Sequence, residues 1–233
     1  PDAQLRAAIE LSGEQFPLPP DFVKGLDFLR TFTVSKHQRL KWVYLFDGKL
    51  YAASNSLIVD YEIGPCEIED TAFLPWICRV LASFDAPPNG VVIEHSTYLF
   101  TWEDGQELLV DCSNVVWRPI CFFSDQVKHM IAGTFKRNCT VINDAARKAL
   151  KRCFDGGGEG RDIYLDGRTA LSRNTTQTTE TETVFPTNAA ALLRLDRKAF
   201  LTMVKVAPEI AFTTRPVCFR HAHGRGGSRP GWL

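Results

Sequence analysis

Phe46-Asp47-Gly48-Lys49-Leu50-Tyr51-Ala52-Ala53-Ser54-Asn55 reads as a tight hairpin, an Asp-Gly turn between two strand-forming runs. The stretch comes back 119 residues later as Leu165-Asp166-Gly167-Arg168-Thr169-Ala170-Leu171-Ser172-Arg173-Asn174. Asp, Gly, a basic residue and the closing Asn align without a gap. A second pair agrees: Gly105 in Trp102-Glu103-Asp104-Gly105 and Gly224 in His221-Ala222-His223-Gly224 are also 119 apart. One such turn says little, since any antiparallel sheet has one. Two turns at a shared offset predict a duplicated domain.

The 233 residues suffice for two domains that each bury a core. The chain has 45% apolar and 23% charged residues, the balance of a soluble globular protein. No apolar run has membrane-spanning length and no signal peptide opens the chain. The seven cysteines show no close pairing, which reads as reduced thiols in a cytoplasmic protein. The net charge of zero hides an asymmetry. Residues 1–116 carry 8 Lys/Arg against 17 Asp/Glu, or −9, and residues 117–233 carry 19 against 10, or +9. The second half is therefore suited to a polyanion, unless the bias is incidental.

Taken in order, Leu5 to Leu11 suggests a short strand. Pro19-Pro20-Asp21 then opens a first helix with Phe22, Leu26, Leu29 and Thr33 on one face, weakened but not ended by Gly25. Strands follow around 41–46 and 49–63. A second helix begins near Pro75 with Ile77, Val80, Leu81 and Phe84 inward, before strands over Val91–Trp102 and Glu107–Cys112. Residues 116–140 break the rhythm and read as a connector between domains 1–115 and 141–233. Asn143-Asp144 then caps a third helix, 145–154, with an apolar stripe of Ala146, Ala149, Leu150 and Cys153. A hairpin over 161–185 leads to a fourth helix, 195–207, with Phe200, Leu201 and Val204 inward. Strands 209–214 and 216–222 close the set. The expectation is an α+β fold of two similar domains, each of two helix-plus-hairpin repeats.

The third helix presents Arg147, Lys148, Lys151 and Arg152 as a basic stripe, and the fourth presents Arg194, Arg197, Lys198 and Lys205. The first half offers only Lys24, Arg30 and Arg79 on its helices. A single basic helix face is usually just solvated; two at equivalent positions point to phosphate.

Other chemistry is thinly supported. Gly156-Gly157-Gly158-Glu159-Gly160 follows a helix and lacks the Lys-Ser/Thr of a P-loop, so it reads as a helix stop. His221-x-His223, near Cys218, puts two imidazoles on one strand face as a possible metal half-site, but no second ligand cluster accompanies it. Cys–His catalysis has no local signature. Phe122 and Phe123 are apolar residues on a connector, packed beneath it or open to a partner.

The arrangement of repeats resembles the DNA sliding clamps, the processivity rings of replicative polymerases. The likeness spans nearly the whole chain and rests on architecture: the Asp-Gly hairpin leading to Ser54-Asn55, and Pro208-Glu209-Ile210-Ala211-Phe212 after the fourth helix. It implies a non-enzymatic, phage-type homotrimer without a cofactor that encircles double-stranded DNA, tethers a DNA polymerase and is opened by a clamp-loader ATPase. The basic helix residues would then line the DNA path, where phosphate contacts without base readout permit sliding. Partner peptides would dock at Leu57, Ile58, Phe122, Phe123 and Val127. Subunits would join through strands 107–112, with Leu108 and Val110, and 178–185, with Thr181, Thr183 and Phe185. The glycine-rich tail from Gly224 departs from the family, so its final strand is expected to be poorly formed. The rival expectation is a monomeric nucleic-acid-binding or scaffold protein with the same helices in an open groove. A metal-dependent enzyme at His221 and His223 is a third.

Overall fold

A computed structural model describes residues 13–34, 40–46, 48–54, 57–68, 71–112, 140–141, 143–156, 162–166, 169–173, 179–183, 193–211 and 217–228. The first half opens with β1 (Gln15–Pro17) and α1 (Phe22–Arg30). Phe22, Leu26 and Leu29 bury α1's inner face, as the helical spacing predicts. Gly25 sits on that face because a Cβ there would lie 2.8 Å from Leu50 Cδ1 and Tyr61 Cδ1. Strands β2 (Val43–Phe46), β3 (Lys49–Ala53), β4 (Leu57–Glu62) and β5 (Thr71–Phe73) follow. α2 (Pro75–Leu81) has proline in its first turn and buries Ile77, Cys78 and Leu81. β6 (Gly90–Glu94), β7 (Thr97–Thr101) and β8 (Glu107–Asp111) complete the half.

The second half repeats the list. It runs β9 (Thr140–Val141), α3 (Asp144–Gly156), β10 (Asp162–Asp166), β11 (Thr169–Arg173), β12 (Thr179–Thr183) and β13 (Leu193–Asp196), then α4 (Arg197–Val206), β14 (Glu209–Ala211), β15 (Val217–His221) and β16 (Gly224–Ser228). Asn143 Oδ1 accepts the Ala146 N–H at 2.8 Å, capping α3 as expected, and Asp196 Oδ1 does the same for α4 from Ala199 at 2.7 Å.

The duplication is explicit in the sheet order. β5-β2-β3-β4 in the first half matches β13-β10-β11-β12 in the second, and β1-β6-β7-β8 matches β9-β14-β15-β16. The α+β class and the four helices stand; each helix brings more strands than a hairpin. The run 49–63 divides at Ser54, whose Oγ and N–H both bond the returning Leu57. The run 91–102 divides at His95, with φ +55°, because Glu94 pairs with Thr97.

The shared offset of 119 does not survive. Phe46 pairs with Lys49 across Asp47-Gly48, whereas Asp166 pairs with Thr169 across Gly167-Arg168, an offset of 120. Gly105 lies inside the loop before β8 with φ +81°, while Gly224 is the first residue of β16. The repeat is real, and its glycines play different parts in it.

One further pairing joins the halves. Val59, Ile58 and Leu57 of β4 pair with Gly226, Gly227 and Ser228 of β16, making one eight-stranded sheet, β5-β2-β3-β4-β16-β15-β14-β9. The tail expected to be poorly formed is thus a central strand. Its glycines allow the approach: a Cβ on Gly226 would collide with the Phe219 ring and the Ile58 carbonyl, and one on Gly224 with Asp60. A single core runs through both halves, from Phe22 and Phe73 to Phe200 and Phe219. The proposed strand at 5–11, the glycine run beyond Gly156 and the connector before Thr140 lie outside the described residues.

Candidate nucleic-acid interface

The helices of each half pack on the sheets with one face, leaving the other for solvent. On α3, Ala146, Ala149 and Leu150 are buried while Lys148 and Lys151 are exposed. On α4, Phe200, Met203 and Val204 are buried while Lys198 and Lys205 are exposed. These four lysines make no ion pair with any described residue. Arg79 is exposed on α2. The cations of α1 are occupied: Lys24 Nζ meets Asp21 Oδ1 at 2.9 Å and Arg30 Nε meets Asp27 Oδ1 at 2.6 Å. Asp21 holds the Lys24 pKa above its ordinary value, first by hydrogen bond and then by charge.

Two residues leave the predicted stripes. Arg147 Nη2 donates to the Ala207 carbonyl at 2.8 Å, tying α3 to the end of α4, and its buried Nη1 has no partner among the described residues. Its spacing fits the stripe, but its guanidinium is tied to the residue that ends α4. Arg194 stands on β13 opposite Tyr164, because the fourth helix starts three residues later. Arg197 is half-buried at the first position of α4. Arg152 continues α3, with its side chain outside those described.

Two expected interface strands sit at sheet edges among the described residues. β8 ends the sheet β1-β6-β7-β8, with Leu108 half-buried and Val110 buried, and β12, carrying Thr181 and Thr183, ends the sheet β12-β11-β10-β13. Phe185 lies outside the described residues. The expected partner groove fares differently. Leu57 and Ile58 are buried in β4 beneath its pairing with β16, so neither is open to a ligand. Phe122, Phe123 and Val127 lie outside the described residues.

The histidine pair belongs to the joint between the halves. His221 Nε2 is 2.8 Å from the Asp60 carbonyl, which can only accept, so Nε2 carries the proton and Nδ1 accepts the His223 N–H at 3.3 Å. The His221 ring packs 4.9 Å from Phe28, and His223 stacks on Tyr61 at 4.8 Å. Burial pulls the His221 pKa down. Asp60 is 1% exposed and accepts the Arg225 N–H; burial pushes its carboxyl up despite that bond. Among the described residues no group of three His, Cys, Asp or Glu is placed to hold a metal. No described helix is long and apolar enough to cross a membrane.

Sequence reasoning missed Asp60, Gly226 and Trp76. Asp60, the lone acid inside an apolar strand run, carries a readable signal for the first. Gly226 gives none without its partners, and Trp76, 44% exposed, precedes Arg79 by one helical turn.

The sequence matches no family model and no curated protein. The structure is similar to bacterial sliding clamps at low identity. A C. crescentus beta sliding clamp matches with TM-score 0.70 and 15% identity over 95% of this chain and 66% of that one. A Pseudomonas aeruginosa DNA polymerase sliding clamp gives 0.67 and 15% over 97% and 68%. A Helicobacter pylori beta clamp bound to a DNA ligase peptide gives 0.64 and 12% over 97% and 68%. The chain spans about two thirds of the length of these clamps, and the likeness establishes its fold.

Proposed function

We propose that this chain is a non-enzymatic, ring-forming sliding clamp that encircles duplex DNA and tethers a DNA polymerase. The observation that carries the reading is an unequal use of equal strands. β4 and β12 hold the same place in the two halves, as do β16 and β8. Inside the chain β4 pairs with β16, while β12 and β8 remain at edges. Repeating the internal pairing between copies joins β12 of one to β8 of the next. Such a contact is head-to-tail, and head-to-tail contacts close into a ring where the rotation from copy to copy completes a circle, as the proposal requires. Matched by face, Leu108 opposite Phe100 takes the place of Gly226 opposite Phe219, and Glu180 in the row of Ile163 takes the place of Val59 in the row of Val43, so the internal register sets Leu108 opposite Glu180 of the neighbour.

Charge supports the same reading. The exposed Lys148, Lys151, Lys198 and Lys205 lie on one helix layer, with no recognition motif among them. Such a surface attracts phosphate without reading sequence, which a sliding contact requires. The proposed closure is a trimer, the two-domain type that large phages carry. A closed ring needs a loader ATPase to open it in the cell, and its place is the compartment that holds replicating DNA, the cytoplasm of a bacterial host.

An open-groove monomer would use the same lysines, so topology is the discriminating test. Protein dissociated by dilution is reassembled by concentration around nicked circular DNA and washed with high salt. A ring stays on the circle and is released by a single cut that linearises it. Equal retention on circles and linear fragments establishes the groove-binding alternative.

A further inference from the structure

We propose that Trp76 is a stacking platform for an unpaired DNA base, giving the clamp a grip on single-stranded template beside the duplex. The inference rests on the DNA-encircling reading above and extends it to a second form of nucleic acid.

Tryptophan is usually well buried in a folded chain, and its N–H usually finds an acceptor. The other described tryptophans conform. Trp42 is 5% exposed with Lys41 Nζ 5.2 Å from its ring centroid, and Trp102 is 7% exposed and donates its indole N–H to the Ala86 carbonyl at 2.8 Å. Trp76 is 44% exposed and has neither a hydrogen bond nor a ring contact among the described residues. Nothing in α2 requires this, because Ile77, Cys78 and Leu81 already bury its inner face.

The surroundings identify the occupant. Arg79, one turn further along the same outer face, is the only Lys, Arg, Asp or Glu in α2. α1 and α2 run antiparallel: a cleft of about 230 Å³ joins Pro20, Val23 and Lys24 near the start of α1 to Leu81, Phe84 and Asp85 near the end of α2. An exposed indole with the exposed guanidinium of Arg79 one turn along the same face is complementary to a nucleotide, with the base on the ring and the phosphate on the arginine. A protein partner would meet no such bias toward anions. The first half also needs such a device: its α1 cations are held by Asp21 and Asp27, so phosphate attraction is weak there and stacking supplies what charge does not.

The test compares full-length wild type, Trp76→Ala, Trp76→Phe and Lys148→Glu/Lys151→Glu for binding to two labelled DNAs. One is a blunt duplex and the other the same duplex with a single-stranded oligo-dT extension. Wild type should prefer the extended DNA. Trp76→Ala should lose that preference, binding the extension roughly 5- to 100-fold more weakly, as expected when one stacked base is lost. Its blunt-duplex affinity should be unchanged, and Trp76→Phe should retain most of the preference. The double lysine variant should lose duplex affinity instead. Equal affinity of Trp76→Ala and wild type for the extended DNA overturns the proposal while leaving the clamp reading intact. A change of molecular mass in Trp76→Ala also overturns it, since the indole would then be a contact between protein chains. If wild type binds neither DNA, the clamp reading fails and this proposal fails with it.

Discussion

β4 and β12 occupy the same position in the two halves, but they are built for opposite circumstances. β4 reads Leu57-Ile58-Val59-Asp60-Tyr61-Glu62, all buried except its last residue, and it is sealed by a glycine-rich β16. β12 reads Thr179-Glu180-Thr181-Glu182-Thr183, polar throughout, and has no outer neighbour among the described residues. Their partners differ in the reverse sense: β8 carries Leu108, Leu109 and Val110 where β16 carries glycines. One joint is made to stay shut. The other combines an edge that tolerates water, with charge that discourages promiscuous pairing, and a partner that offers apolar surface. The proposed ring, which must open and reclose, would use this asymmetry.

The largest effect is expected at the permanent joint. Phe219 is fully buried beneath Gly226, and Phe219→Ala should cost about 3–5 kcal/mol in chemical denaturation. Gly226→Val forces a side chain into the same contact and should cost about 1–3 kcal/mol as overpacking. A cost near zero for both would mean that β16 does not hold the halves together.

The open joint should respond in oligomer affinity. Leu108→Lys and Leu108→Glu remove the same leucine, yet one places a cation opposite Glu180 of the neighbour and the other an anion. A directly opposed charge pair is worth about 0.2–1 kcal/mol. Subunit affinity should therefore differ several-fold in favour of lysine, with similar monomer stability. Equal affinities would refute the transferred register.

The smallest effect belongs to pH. His221 is held neutral and its pKa lies below 6.5, so below that pH the unfolded chain takes up more protons than the folded one. Stability should fall as pH drops from about 6.5 toward the lowered value. Asp60, raised above 3.8, works the other way, costing stability as pH rises through its folded pKa. His221→Gln keeps a donor for the Asp60 carbonyl and should flatten the slope just below pH 6.5 in denaturation curves. An unchanged slope would place its origin elsewhere.

Local chemistry made much of this legible. Asp47-Gly48 marks a hairpin, Asn143 a helix start, and the spacings of α1 and α3 their buried faces. The illegible parts depend on partners distant in sequence. Gly224 and Gly226 look like a loose tail until Asp60 and Phe219 are beside them. His221 and His223 alternate as a metal pair would, yet a carbonyl 161 residues away fixes their role. Arg147 has the period of a DNA-facing stripe, and Ala207, 60 residues on, takes it inward. The run 49–63 hid its turn because both arms are apolar and buried, leaving no alternation to interrupt.

If the second joint closes between copies, the mass in solution must show it. Light scattering across a concentration series should give three times the monomer mass at high concentration, with dissociation on dilution. A monomer mass at every concentration would contradict the account.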